Sequence, residues 1–598
     1  MDKMKRVGGS TNRKNAFASF AKTFAVNSSL KRSTSAINFA LVCFLLLASY
    51  TTAVACIPIA SEVKVSEIRG AVTDEYDTPI PSAVVELYRK TDSGEEILRK
   101  VNADGSGWFA IEDVKPGNYL LRSNFPHAFS HSYASVRVTR SRRTKDFLKI
   151  ELVPISECTG SIETASKLEI KNEMLAAEVR REFLHAWNGY KKYAWGNDDL
   201  KPLSKTYHNW YSEPLLMTPI DTLDTLVLMG LDEEAKETAD YIAKNLSFDK
   251  DISVQKFEIT IRLLGGLLSG YQMTGDKRLL DLAVDLGNRL LPAFESKTGI
   301  PYRYINLKTG AVRGEETNPA EAGTLIIEFG TLSKITDKPV YFEKAKRALK
   351  AVFDRRSKIG LIGTRINVET GEWTNKDSHV SAEIDSYYEY LLKCWKLFGD
   401  RECKAMWDKS IPAVNKYLAD ETKTGLWYGH ADMETGKRTA TTFGALDAFF
   451  PAVLALSGDL KRAKRLQVSS FLMWNKHGIE PEVYDYVADE VKHPGYPLRP
   501  EIVESAYYLY RYTKDPRYLK MGKKIFEDFR KHCRTEAGYA SLKNVITKEK
   551  SDTMQSFVLA ETFKYFFLLF APEETLDFEK VVFNTEAHPI RPTWREDN

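Results

Sequence analysis

Five acidic residues recur in step from position 258 onward in the 598-residue chain: Glu258 in KFEITIRLLGG, Glu321 in NPAEAGTLIIEF, Asp385 in EIDSYYEYLLK, Glu501 in RPEIVES and Glu561 in LAETFKYFFLLF. Each precedes a turn between two helical runs, so all five fall at similar heights on successive helices. The unit around Phe449-Phe450-Pro451 contributes none. Acids at equivalent positions of a closed helical repeat converge at one end of its cavity, and convergent carboxylates amid aromatic rings suit sugar hydrolysis. One acid protonates the leaving oxygen while another carboxylate activates water or attacks carbon. Tyr387, Tyr388, Tyr507 and Phe557 are the aromatic candidates for stacking on sugar rings. A solvated acid favoured by the helix dipole explains any one of these residues. It does not explain five that share a register and an aromatic context.

The elements that must position these acids are helical from about residue 168. Turns at Gly230-Leu231-Asp232, Thr274-Gly275-Asp276, Thr336-Asp337-Lys338-Pro339, Phe398-Gly399-Asp400, Ser457-Gly458-Asp459, Lys514-Asp515-Pro516 and Ala571-Pro572 separate pairs of helical runs. Most centre on an Asp suited to cap the following helix. After a shorter first interval they fall about 60 residues apart, the mark of a repeat architecture. Seven helix-turn-helix units predict an all-α (α/α)7 toroid over 168–592. Ahead of it, 63–155 reads as a small all-β sandwich. Short β-rich runs at Val84–Tyr88, Trp108–Ile111 and Tyr119–Leu121 are punctuated by Asp77-Thr78-Pro79, Asp104-Gly105-Ser106-Gly107 and Lys115-Pro116-Gly117-Asn118.

The formal charge of +4 is close to balanced, and much of the excess lies before residue 37. Nucleic acid is therefore not an expected partner. The basic block precedes an uncharged apolar run, 37–55, ending in Ala53-Val54-Ala55 and followed by Cys56. Residues 1–56 thus read as a targeting segment: a secretory signal cleaved near Ala55, a signal with a lipidated Cys56, or a type II membrane anchor. All three export the rest of the chain, whether secreted, periplasmic, lipid-anchored or within the secretory pathway. Cys158, Cys394, Cys403 and Cys533 lack metal-ligand spacing, and a disulfide framework is not needed at this size.

The ordered set AWNGYKKYAWGNDDLKPLS, TPIDTLDTLVLMGL, FEITIRLLGGLLSGY, AEAGTLIIEFGTLSKIT, DSYYEYLLK, GIEPE, RPEIVESAYYLYR, SFVLAETFKY and FNTEAHP resembles the class I α-mannosidases of glycoside hydrolase family 47 over about residues 172 to 590. The segments IRGAVTDEYDTPIPSAVVELY and DGSGWFAIEDVKPGNYLL resemble the carboxypeptidase regulatory-like, transthyretin-like domain, usually a non-catalytic spacer or docking module. The mannosidase resemblance implies roles position by position. Glu258 matches the proposed general acid, Asp385 a second catalytic acid, and Glu501 the base for the attacking water. Thr585 matches the one direct protein ligand of a calcium ion, Glu504 and Glu561 acids that hold calcium-bound waters, and Arg262 and Phe557 contacts to the sugar being cleaved. The chain departs from eukaryotic processing members at Glu383, where they carry Arg, and at Ala445 and Ala448, where they carry His and Cys. A cysteine partner near Ser470 is also missing. These differences look closer to bacterial members and to the ER-degradation-enhancing mannosidase-like proteins.

The resemblance implies an inverting, exo-acting, Ca2+-dependent α-1,2-mannosidase acting on a mannose-containing oligosaccharide or glycoprotein. The alternative is a lectin-like protein that holds mannose glycans with weak or different activity.

Overall fold

The computed structural model describes residues 63–595 apart from 75–78, 92–93, 105–106, 126–128, 141–147, 153–160 and 165–171. The targeting segment 37–55, Cys56 and Cys158 lie outside the described residues. Among the described residues no helix is long and apolar enough to cross a membrane.

The N-terminal region is a two-sheet sandwich. One sheet has the order Val63–Val65, Phe129–Val138, Gly117–Phe125, Val84–Thr91, Gly94–Asn102; the other runs Trp108–Ile111, Ile68–Asp74, Leu148–Leu152, Ser161–Thr164. The last of these strands lies beyond the 63–155 span predicted from turns. Alternation of inward and outward residues gives Val72, Val85, Leu87, Leu121, Val136 and Ile150 as a core of their own, separate from that of the helices.

From Asn172 onward fourteen helical segments form seven inner–outer pairs. Outer helices are amphipathic and begin on capping aspartates where the turns predicted them: Asp276, Asp400 and Asp459 each accept a backbone N–H of the following turn. Inner helices such as Ile326–Thr336 and Phe450–Ser457 are mostly apolar and largely buried all round. One part of the predicted repeat is corrected. No helix follows Ala571-Pro572; only 3₁₀ turns do. The partner of the last inner segment, 558–570, is instead the first helix, Asn172–Tyr193, with Phe183 edge-on to Phe563 at 6.0 Å between centroids. The ring closes by joining its two ends.

Short β-hairpins link most outer helices to the next inner one, as at Asp199–Lys201/Thr206–His208 and Val483–Asp485/Glu490–His493, while the linker after Asp232–Asn245 has one strand, Ser253–Gln255, that pairs with Tyr304–Asn306. A further hairpin, Val582–Phe583/Pro589–Ile590, enters the ring from the other end. The expectation that no cysteine pairing is needed is also corrected. Cys394 and Cys403, in the inner and outer helices on either side of the Gly399 turn, form a disulfide with Cα atoms 6.0 Å apart, and Cys533 is buried and free. The bond ties a turn that the fold already makes.

Candidate active site

A cavity of about 370 Å³ opens among the N-terminal ends of the inner helices. Every residue to which the family resemblance gives a role lines it: Glu258, Asp385 and Glu501; Arg262, Phe557, Glu504 and Glu561; and Thr585. Glu321 is there too, so all five acids of the repeat register converge. The unit without a lining acid does carry one, Asp447. It is turned into the wall, where it accepts bonds from the Ser381 hydroxyl and from Gly444 N–H at 3.0 Å.

Two inner helices are locally unwound where they carry site residues. Ile259–Leu264 is a π-turn that directly follows Glu258 and contains Arg262; Val558–Thr562 is another, following Phe557 and containing Glu561. Such turns widen the helix and re-aim side chains at functional positions. Arg262 is buried yet fully engaged. Its Nε donates to Glu258 Oε2 at 2.9 Å and a terminal nitrogen to Glu586 Oε2 at 2.7 Å, with Asp221 at 3.6 Å. Its guanidinium also faces the rings of Phe557 at 5.8 Å and Trp210 at 5.3 Å.

The remaining acids differ in their partners. Asp385, the first residue of its helix, accepts from Ser386 N at 2.6 Å and the Ser386 hydroxyl at 3.1 Å; burial outweighs these bonds and raises its pKa to about 7. Burial also pushes Glu501 well above the usual carboxylate range, although Arg499 stands 3.8 Å away. Glu504 reaches about 8 through burial and then the nearby Glu389, against Lys393 and the Tyr565 hydroxyl. Burial, opposed by Arg262, carries Glu586 to about 7, and Glu561 is raised by burial and then by Glu586 and Glu501. Glu321 is held on the wall by Gln255 Nε2 at 2.7 Å and Arg303 at 2.9 Å.

The inserted hairpin makes the floor, and its tip is bolted from several sides. Asn584 Nδ2 donates to Ile261 O at 2.9 Å and Glu328 Oε1 at 2.8 Å, while its oxygen accepts from the backbone of Glu586 and His588. Gly265 lets this loop approach, since a Cβ there would lie 2.6 Å from Asn584 Nδ2. His588 Nδ1 lies 2.7 Å from Asp224, which Lys564 also meets at 2.8 Å. Thr585 N donates to the Tyr390 hydroxyl at 3.1 Å, which leaves the Thr585 hydroxyl and carbonyl uncommitted among the described residues. Glu501 Oε2 is likewise buried without a partner. The uncommitted groups, the Thr585 hydroxyl and carbonyl and Glu501 Oε2, are all oxygens, and with the other lining carboxylates they suit a hard divalent cation such as calcium.

Glu389, Glu586 and Arg499 line the cavity without having been picked out beforehand. The signals were present: Glu389 is four residues after Asp385, Glu586 adjoins Thr585, and Arg499 is two before Glu501. Conversely, Tyr387, Tyr388 and Tyr507 do not face the cavity; they are at most 1% exposed and pack within the protein core. The lining aromatic rings are Phe257, Phe449 and Phe557.

Both parts of the chain resemble known proteins. Residues 67–152 match the carboxypeptidase regulatory-like domain, and residues 182–592 match glycosyl hydrolase family 47. Alpha-mannosidase I MNS5 of Arabidopsis thaliana is 37% identical over 465 residues, 72% of this chain and 80% of that protein. Mannosyl-oligosaccharide 1,2-alpha-mannosidase MNS1 of the same plant is 36% identical, covering 70% and 79%. The ER degradation-enhancing alpha-mannosidase-like protein 2 of Mus musculus is 36% identical, covering 69% and 77%. Among solved structures, the alpha-1,2-mannosidase from Trichoderma reesei superposes with a TM-score of 0.66 at 28% identity, covering 71% of this chain and all of that one. A match that takes in nearly the whole ring, with relatives at this level over most of their own length, means that the chain belongs to glycosyl hydrolase family 47.

Proposed function

We propose that this protein is an exported, calcium-dependent, inverting exo-α-1,2-mannosidase that removes terminal mannose from high-mannose glycans or mannans. The observation that carries this reading is the convergence of Glu258, Asp385, Glu501 and Thr585, from four distant segments, on one cavity closed by a hairpin floor. A closed floor accepts a chain end and not an interior sugar. The α-1,2 linkage is supported by the likeness to the mannosyl-oligosaccharide 1,2-alpha-mannosidase MNS1 of Arabidopsis and the alpha-1,2-mannosidase of Trichoderma.

In this mechanism Glu501 takes a proton from the water that attacks the anomeric carbon. Glu258 and Asp385 manage the proton that goes to the leaving oxygen, and Asp385 is the member kept protonated near neutrality by burial. Room for a water between base and sugar implies carboxyl groups about 6.5–9.5 Å apart across the bond and inversion at the anomeric centre. Arg262, clamped between Glu258 and Glu586, orients the acid and presents a cationic edge to the sugar. Thr585 would hold the calcium through its hydroxyl and carbonyl, with Glu504, Glu561, Glu586 and Glu389 fixing the waters around it. Calcium, when bound, supplies a high coordination number that sugar hydroxyls can share.

The test is mannose release from Manα1,2Man by the purified chain, with calcium and with excess EDTA, following the anomer by NMR. Release that EDTA abolishes and calcium restores, with β-mannose appearing first, is the expected result. Folded protein that releases nothing under either condition would overturn the enzymatic reading in favour of a mannose-binding protein. Release of α-mannose first would overturn inversion.

A further inference from the structure

Outside the cavity, Asp377, His379 and His430 come together from two chain segments, one nitrogen of each ring and one carboxylate oxygen lying within 4.8 Å of one another. The strand Asp377–Ser378 pairs with His430–Asp432, which brings the aspartate beside His430. His430 Nδ1 is 2.6 Å from Asp377 Oδ2, and the two imidazoles lie close together, with centroids 4.4 Å apart and their planes tilted by 36°.

Each of the three side chains is also fixed from behind by a threonine. Thr439 Oγ1 donates to Asp377 Oδ1 at 2.6 Å, Thr442 Oγ1 meets His430 Nε2 at 3.1 Å, and Thr364 Oγ1 meets His379 Nε2 at 3.1 Å. The single hydroxyl proton of Thr364 is committed to the Asp377 carbonyl at 2.7 Å. Towards His379 that hydroxyl therefore accepts, Nε2 carries the proton, and Nδ1 is left with a bare lone pair. His379 is 6% exposed, and its Nδ1 has no hydrogen-bond partner. A buried lone pair without a donor is costly. Beside a carboxylate and a second imidazole, a cation would satisfy that lone pair.

We propose that Asp377, His379 and His430 form a binding site for a borderline divalent transition-metal ion, Zn2+ foremost, separate from the calcium site of the cavity. Two imidazoles and one carboxylate match zinc, whereas calcium takes oxygen donors. Three protein ligands leave a fourth position for water, and the side chains of Asp377 and His430 are 29% and 17% exposed, which leaves that position reachable. On binding, His430 shifts its Nδ1 proton to Nε2 towards Thr442, so both rings ligate as neutral imidazoles with outer N–H groups held by hydroxyls. The ion would clip the His430 hairpin to the segment leading into Asp385. Ser381, two residues after His379, accepts the first backbone N–H groups of that helix and donates to Asp447. The site is thus a fastening for the wall that carries Asp385.

The experiment uses the untagged chain, stripped with EDTA, returned to excess calcium and titrated with CoCl2 and then ZnCl2. The expected result is saturable uptake of one Co2+ per chain with visible d–d absorption, displacement by Zn2+, and zinc-edge X-ray absorption showing two imidazoles. Affinity should fall at least about tenfold in Asp377→Asn and His379→Gln, each checked for folding by circular dichroism. No saturable uptake by the wild-type chain, or bound zinc without imidazole scattering, overturns the proposal without any variant. Equal affinity in the folded variants overturns it as well.

Discussion

At the scale of single residues, position around a helix decides what the sequence can reveal. Glu389 and Glu504 follow Asp385 and Glu501 by four and three residues, so each shares its neighbour's face and reaches the cavity. Tyr387 sits two residues after Asp385, about 200° around the helix, which turns it to the opposite side and into the core. Composition could suggest aromatic stacking, and the angular count could have excluded Tyr387, whereas Tyr388 and Tyr507 follow Asp385 and Glu504 by three residues and only the packing turns them into the core. Thr585 shows the other limit. Nothing about an isolated threonine marks it, and only its place in FNTEAHP does so. Replacing Glu501 by Gln removes the proposed base while leaving the wall in place; kcat should fall at least about 10²-fold with glycan binding largely kept, and an unchanged rate would remove Glu501 from the mechanism. Asp385 makes a prediction in pH. A proton donor with a pKa of about 7 loses its proton above that value, so kcat/KM should decline about tenfold per pH unit on the alkaline side. A rate that stays flat to pH 9 would remove Asp385 as the proton donor.

At the scale of elements, Asp-centred turns announced the outer helices because capping chemistry is local. The short hairpins of two to four residues per strand were not legible, being too brief for any period to show. The two π-turns were also hidden, since they arise from packing at the site and not from propensity. The floor hairpin is tested through His588. Burial lowers its pKa, but Asp224 and Asp221 more than compensate and lift it to about 9 from 6.5. A folded pKa above the unfolded one means that the stabilisation is complete below about pH 6.5 and is lost as pH rises through 9. Melting temperature should therefore drop between pH 7 and 9.5. His588→Asn should start lower and show a flatter profile over that range; an identical profile in the variant would show that the loop is held by Asn584 and Lys564 without this ion pair.

At the scale of the whole molecule, sandwich and toroid have separate apolar cores, which was legible from the change of period between 155 and 168. A chain reduced to residues 172–598 should therefore hydrolyse Manα1,2Man at a rate within about twofold of the full protein, because cores that share no buried residue fold as independent units. A dead truncation would make the sandwich part of the catalytic unit. The seven-unit count was legible from the turns, but the pairing of the last inner helix with the first outer one was not, since no local signal links residues so far apart. That closure sets the toroid apart from open solenoids, whose end repeats fray and need polar caps while inner repeats persist. Here every pair has two neighbours, so no unit is terminal and none can peel away first. Joining Asn172–Tyr193 to 558–570 also requires the longest loop in the domain to close, which places a slow, non-local step in its folding. The ring should thus be reluctant both to form and to come apart, with a cavity that exists only once the circle is complete.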